Sequence, residues 1–599
     1  MISSKFIIAI LLLIVLVGIV VATLIVTLSS DIGFPKSHED FILKNTKGDK
    51  IKDNLQYLTS KPHTAGTERD TETANWLAQK WRDQGLDEVN LVPYNVMLSY
   101  PERDVNNTIS ILSTDNNTLW SSEGRQPPLY PGEDDPEIFN NFNAYSAPGN
   151  VSGDVVYVNY GREEDFHYLD TLNISVKDCI VLTRYGQIYR GNKVASAEKR
   201  GAKGVILFTD PADAVRGNFT YPDSMYAPSG AVQMGTTRLG NGDPLTPFYP
   251  SIESAFRIPE SEASIPKIPV QPISYADAYN ILIAMDGEKA PEEWQGGLNV
   301  TYNVGPGLTN GNTLRMEIAT HNVNVTVYNV IGQIKGREEP DRYVILGNHR
   351  DAWIFGGVDP SSGTAAMLEV SRMLGERLND DWRPRRTIIF CSWAAEEYGL
   401  VGSNEWVEQF STHLQQRAVA YLNVDMVFES NFSFIGMAVP LLYDVLENAA
   451  KLVPNPDPNE ISEGRNTLYD TWIYQHPDPL HPGRPKFDTI GSGSDFSGFQ
   501  HNLGIPSTDM YYTDKPNGTG LALYHTLYET FHLATDILDP NMRYQVALTQ
   551  AWALMAVNLA EEALIPYSLT RYGDYLVEAF NDIVQEYGDL MNNNGVGLG

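Results

Sequence analysis

Residues 341–363, DRYVILGNHRDAWIFGGVDPSSG, decide how the rest of the chain is read. The run from Tyr343 to His349 is strand-like, and it ends on a histidine, with Asp351, a Gly-Gly turn and Asp359 close behind. Working outward, TIIFCSW (387–393), AVAYLNVD (418–425) and IPSTDMYY (505–512) are further strand-like runs, with helical stretches between them. This pattern predicts an α/β fold built on an open, mostly parallel sheet with helices on both faces. Ligands of such sheets gather beyond the carboxyl ends of the strands. The reactive side chains fall there: Glu396 and Glu397 follow the second run, Asp425 ends the third, and His525 precedes a helix in LYHTLYET (523–530).

Each of these residues alone has an ordinary reading, since a strand-end aspartate caps helices and paired glutamates start solvated ones. The group has a sharper one. Two histidines and three carboxylates supply two zinc ions if one carboxylate bridges, each metal taking an imidazole, a terminal carboxylate and the shared one. Two cations lower the pKa of a water between them and polarise a bound carbonyl, which is machinery for hydrolysis. Glu396 would be the general base. Asp351 would orient His349 through its second ring nitrogen.

Composition removes other classes. The chain has 599 residues, 75 acidic against 43 basic side chains and a formal charge of −32, which repels phosphate backbones and excludes nucleic-acid binding. Two cysteines, Cys179 and Cys391, exclude a disulfide scaffold and Cys-rich metal modules. Residues 6–28, FIIAILLLIVLVGIVVATLIVTL, carry no charge and are long enough to cross a bilayer, longer than the apolar core of a cleaved signal peptide. Lys5 before and Asp31 after favour a cytoplasmic N-terminus. Glycosylation acceptors at Asn106, Asn116, Asn150, Asn173, Asn218, Asn299, Asn324, Asn431 and Asn517 suit an ectodomain beyond the span. The expected location is therefore the plasma membrane, single-pass type II, with the catalytic part outside.

Residues 70–84 space Ala74, Leu77 and Trp81 as a helical stripe that leads into a strand ending near Met97. Between 98 and 323 short runs such as GDVVYVNY and GVILFTD alternate with Pro/Gly/Asn-rich turns, which reads as an inserted, mostly β-rich domain.

The runs 341–363, WRPRRTIIFCSWAAEEYGLVGSNEW (382–406), AYLNVD (420–425) and LYHTLYET closely resemble glutamate carboxypeptidase II and its relatives, membrane-anchored two-zinc exopeptidases related to the transferrin receptor. The resemblance implies a cytoplasmic tail (1–5), an anchor (6–28), a protease domain in two parts (29–97 and 324–566) and a protease-associated domain (98–323). Residues 567–599 match the start of a helical dimerisation domain, and the stripe Tyr575, Leu576, Ala579, Ile583 and Tyr587 needs a partner, so a truncated form is expected, with the family's homodimer in doubt. By motif position His349 and Asp425 hold one zinc, Glu397 and His525 the other, Asp359 bridges and Glu396 is the base. A structural calcium would take Thr246, Tyr249, Glu405 and Glu408. Arg190, in YRGNKV (189–194), would grip the terminal carboxylate of a peptide, and Tyr524, Gly493, Ser494 and Gly399 would line the cleft. Thr236 stands where the family has an asparagine, and Ile435, Asp509 and Tyr511 stand where an acid-preferring member has arginines. Asp509 would repel an acidic side chain, so neutral or apolar residues are expected upstream of the cleaved bond. The alternatives are a dipeptidase or aminopeptidase of the same metal chemistry, or an inactive receptor-like homologue.

Overall fold

The computed structural model describes residues 36–593. The predicted tail and membrane span at 1–28 lie outside them, and among the described residues no helix is long and apolar enough to cross a membrane. Seven strands form the main sheet, numbered in chain order within it: β1 (Glu88–Pro101), β2 (Thr320–Ile334), β3 (Glu339–His349), β4 (Arg386–Trp393), β5 (Ala418–Asn423), β6 (Ser433–Ala438) and β7 (Ser507–Thr513). Their spatial order is β1-β2-β4-β3-β5-β7-β6. The four inner strands β4, β3, β5 and β7 are parallel, and β4 is buried along its whole length, as a strand covered on both faces must be. The expectation of a mostly parallel sheet needs correction at both edges. β6 pairs antiparallel with β7, and on the other side β1 with β2 and β2 with β4 are antiparallel.

β1 and β2 pair from Glu88↔Gln333 to Pro101↔Thr320, so the chain leaves the sheet at Pro101 and returns beside the same point at Thr320. Departure and return on neighbouring strand ends let a large unit be inserted without disturbing the ladder. The insertion is not simply β-rich. One layer is a parallel sheet (Val270–Ile273, Gly204–Phe208, Ile180–Arg184, Val155–Tyr157) accompanied by helices such as Glu163–Thr171 and Arg190–Lys199. The other is antiparallel, in the order Thr118–Ser121, Thr108–Leu112, Thr313–Ile318, Gly149–Gly153. The insertion has its own apolar core, holding Cys179, while Cys391 lies in the main core; both thiols are free.

Around the main sheet, helices α1 (Glu68–Asp83), α2 (Ser361–Leu378), α3 (Val401–Arg417) and α4 (Arg543–Glu561) cover the strands. The predicted stripe of α1 is buried at Ala74, Leu77 and Trp81. The last helix, α5 (Leu569–Asn593), exposes about half of Tyr575, Leu576, Ile583 and Tyr587. All nine acceptor asparagines are exposed.

Candidate metal centre and peptide cleft

His349 is the last residue of β3, and Asp359 follows a loop that ends at the N-terminus of α2. Glu396 and Glu397 follow β4, and Asp425 lies two residues past β5. His525 sits in the loop after β7 with φ 60, a left-handed conformation that histidine tolerates better than most residues. The carboxyl ends of the parallel strands thus bring together side chains spread from 349 to 525. His349 Nε2 lies 3.0 Å from Asp359 Oδ1 and 3.2 Å from Asp425 Oδ1. His525 Nε2 lies 3.3 Å from Asp359 Oδ2 and 3.0 Å from Glu397 Oε2. The two oxygens of Asp359 therefore face different histidines. Glu396 Oε2 stands 3.9 Å from His349 Nε2, beside the first group.

Four carboxylates are thus concentrated in a buried place. Burial pushes Glu396 and Glu397 well above the ordinary carboxylate range. Burial would by itself lower His349, but the carboxylates of Asp425 and Glu396 hold it well above its usual value. Asp359 Oδ1, Glu397 Oε1 and His525 Nε2 are buried without a hydrogen bond of acceptable geometry, despite their short distances to one another's neighbours. Close oxygen and nitrogen atoms that share no proton fit cation ligation, and imidazole with carboxylate is a zinc donor set.

Supporting groups fix these candidate ligands. The ring of Tyr524 stacks on His525 with centroids 3.5 Å apart, and His525 Nδ1 meets Met234 O at 3.1 Å. Ser494 Oγ donates to Asp425 Oδ2 at 2.5 Å and accepts from Asn423 Nδ2 at 2.9 Å. Asp351 meets the second ring nitrogen of His349 through its backbone carbonyl, 3.0 Å from Nδ1, while its nearest carboxylate oxygen is 3.9 Å away. The carboxylate accepts the backbone N–H groups of Glu396 at 3.0 Å and Glu397 at 3.3 Å, so it shapes the glutamate turn instead. Glu529 was not singled out from sequence. Buried, it accepts the N–H of Asp359 at 2.5 Å and of His525 at 2.9 Å, tying the shared carboxylate to the second histidine. The only signal was an acidic residue four positions after His525.

Arg190, first residue of its helix in the insertion, lines a cavity of about 500 Å³ together with Glu396, Glu397, Gly399, Gly493 and Tyr524. Its guanidinium packs over Gly235, where an added Cβ would come within 2.5 Å of Cζ. Nη2 donates to Gln233 Oε1 at 3.3 Å, but buried Nε has no partner. Thr236 lines the same cavity. Asp509 is 5 % exposed, accepts from Asn423 Nδ2 at 3.2 Å and lines a second cavity together with Asp425.

The residues matched to calcium meet where the insertion contacts α3. Glu405 accepts the N–H groups of Asp243 at 2.6 Å and Ser251 at 2.5 Å, and Thr246 Oγ1 donates to Asp243 Oδ2 at 3.1 Å. Glu408 keeps a buried, unpartnered oxygen. Burial pushes Glu405 up to about 8 and Glu408 up to about 7. The Tyr249 hydroxyl instead donates to Phe256 O at 2.8 Å, and Asp243 is an additional carboxylate that the sequence reading left out.

Comparison with known proteins agrees with this geometry. Residues 329–548 match Peptidase family M28, and 151–238 match the PA domain. A glutamate carboxypeptidase 2 homolog of Caenorhabditis briggsae is 40% identical over 553 residues, covering 90% of this chain and 72% of the relative. Aminopeptidase NAALADL1 of Rattus norvegicus is 36% identical over 583 residues, covering 94% and 77%. Among solved structures, a peptidase M28 precursor from Shewanella amazonensis shares the fold with TM-score 0.53 at 17% identity, covering 88% of this chain and 96% of that one. A zinc aminopeptidase from Bacillus subtilis gives 0.51 at 18%, covering 86% and 96%. The chain is a zinc exopeptidase and belongs to the glutamate carboxypeptidase 2-like group of peptidase family M28.

Proposed function

We propose that the protein is a cell-surface exopeptidase that holds two zinc ions and releases the C-terminal residue of a peptide whose upstream residue is not acidic. His349 and Asp425 would hold one ion, His525 and Glu397 the other, with Asp359 between them. When bound, zinc supplies a lowered water pKa and polarisation of the scissile carbonyl. Glu396 takes the proton of the attacking water and returns it to the leaving amine. The guanidinium of Arg190 pairs with the substrate's terminal carboxylate. The observation that carries the reading is that Arg190, whose buried Nε has no partner, lines the same cavity as Glu396, Glu397 and His525. A calcium ion among Thr246, Glu405, Glu408 and Asp243 would brace the insertion against α3, since the donors are all oxygen. The surface location is supported by the uncharged run at 6–28 and the exposed acceptor asparagines.

Removal of an N-terminal residue is the second reading, favoured by the rat relative's name and by Glu429 and Asp509 in a neighbouring cavity, either of which can face a free amine. Peptides blocked at one end decide between them. C-terminal amidation abolishes cleavage under the first reading, whereas N-acetylation abolishes it under the second. Glu396→Gln lowers kcat by roughly 10²–10⁴-fold in either case, measured with zinc content held equal.

A further inference from the structure

Adjoining the cavity that Arg190 lines, and sharing Glu396, Gly493 and Tyr524 with it, is a second cavity of about 300 Å³. Asp359, Glu396 and Asp425 form its inner end, so whatever fills it adjoins the reacting bond. Its walls include Met426, Met437, Phe496 and Tyr511, which are apolar or aromatic. Two further carboxylates line it, Glu429 and Asp509, and no lysine or arginine does.

The carboxylates differ in position. Asp509 lies on β7 opposite Met437 and is tied through Asn423 and Ser494 to Asp425, close to the inner end. Glu429 is fixed farther out, its N–H bonded to Tyr512 O at 2.8 Å and its Oε2 beside Thr513 Oγ1 at 3.5 Å, a weak contact. Asp509, Tyr511 and Thr513 share one face of β7, so the cavity runs along that face from the reaction centre toward Glu429. An apolar corridor leading to a carboxylate without a cation suits a side chain with a methylene stem and a positive tip.

We propose that Glu429 selects a basic residue, lysine or arginine, on the amino side of the cleaved bond. The stem lies along Met426, Met437, Phe496 and Tyr511, and the cation reaches Glu429, with Asp509 adding to the attractive field. This rests on the carboxypeptidase reading of the same centre, since under the second reading Glu429 is a candidate partner of the free amine instead.

The test uses the zinc-loaded full chain and peptides that differ only in that residue: lysine, its neutral counterpart norleucine, or glutamate. The expected kcat/KM for lysine exceeds that for norleucine about tenfold, with glutamate lowest. Glu429→Gln brings the lysine-to-norleucine ratio to about one, and added salt lowers the wild-type ratio even if that variant fails to fold. A norleucine peptide cleaved as well as the lysine peptide by the wild type, or a ratio that survives Glu429→Gln, overturns the proposal. Cleavage of none of the three, or full turnover by Glu396→Gln, overturns the underlying reading and the proposal with it.

Discussion

Arg190 depends on a glycine. Its guanidinium occupies the space a side chain at 235 would need, and the guanidinium is the softer of the two partners because it ends a flexible side chain. Gly235→Ala therefore displaces Arg190 rather than the backbone. The expected outcome is a rise in KM of about tenfold or more for peptides with a free C-terminus, with little change for C-terminally amidated ones if these are cleaved at all. Equal KM values for wild type and variant would remove Arg190 from carboxylate recognition. The residues that meet at the candidate centre could be picked out in sequence because each lies within a few residues of a strand end or an apolar run. That Asp351 reaches His349 with its backbone carbonyl and keeps its carboxylate for the N–H groups of Glu396 and Glu397 was hidden, because spacing along the chain does not say which atom of a residue makes a contact.

At the scale of elements, the centre is a set of strand ends and loops that must be locked to each other. Glu529 performs one such lock, holding the N–H groups of Asp359 and His525 with its two oxygens. Glu529→Gln replaces one acceptor oxygen by a donor and leaves one N–H unanswered. Zinc affinity is expected to fall roughly 10–100-fold, read by competition with a chromophoric chelator, while the ligand side chains remain in place. An unchanged affinity would make Glu529 a packing residue only. Its contacts join backbone groups 170 and 4 residues away, and no hydrophobic period announces such bonds. The antiparallel margins of the sheet were hidden for a similar reason. β1 and β2 are long strands separated by the whole insertion, and their pairing is a contact between distant segments.

For the molecule as a whole, buried acids set the response to pH. Burial pushes Asp495 up to about 8 and both Glu429 and Asp509 up to about 7. Each holds its proton more tightly folded than in the unfolded chain, where carboxylates titrate near 4. The folded state thus carries more protons between about pH 4 and 8, and this contribution to stability is lost as pH rises through that window. In chelator, Tm should fall from pH 5 to pH 8, and Asp495→Asn should flatten the slope; a Tm that climbs across this range contradicts the assignment. The same count of acids, 75 against 43 basic groups, was visible from composition, but which of them are buried was not.

Arg190 is carried by the inserted unit, whereas Glu396 and the histidines are carried by the main sheet. Under the proposed function a substrate would be gripped by one body and cut by the other, like work held in a vice beside a separately mounted blade. The seam around Asp243, Ser251 and Glu405 therefore acts as the bench that keeps the two aligned. Loosening it, by substitution of Glu405, is expected to shift where along a peptide the blow falls even though no residue at the cutting edge has changed.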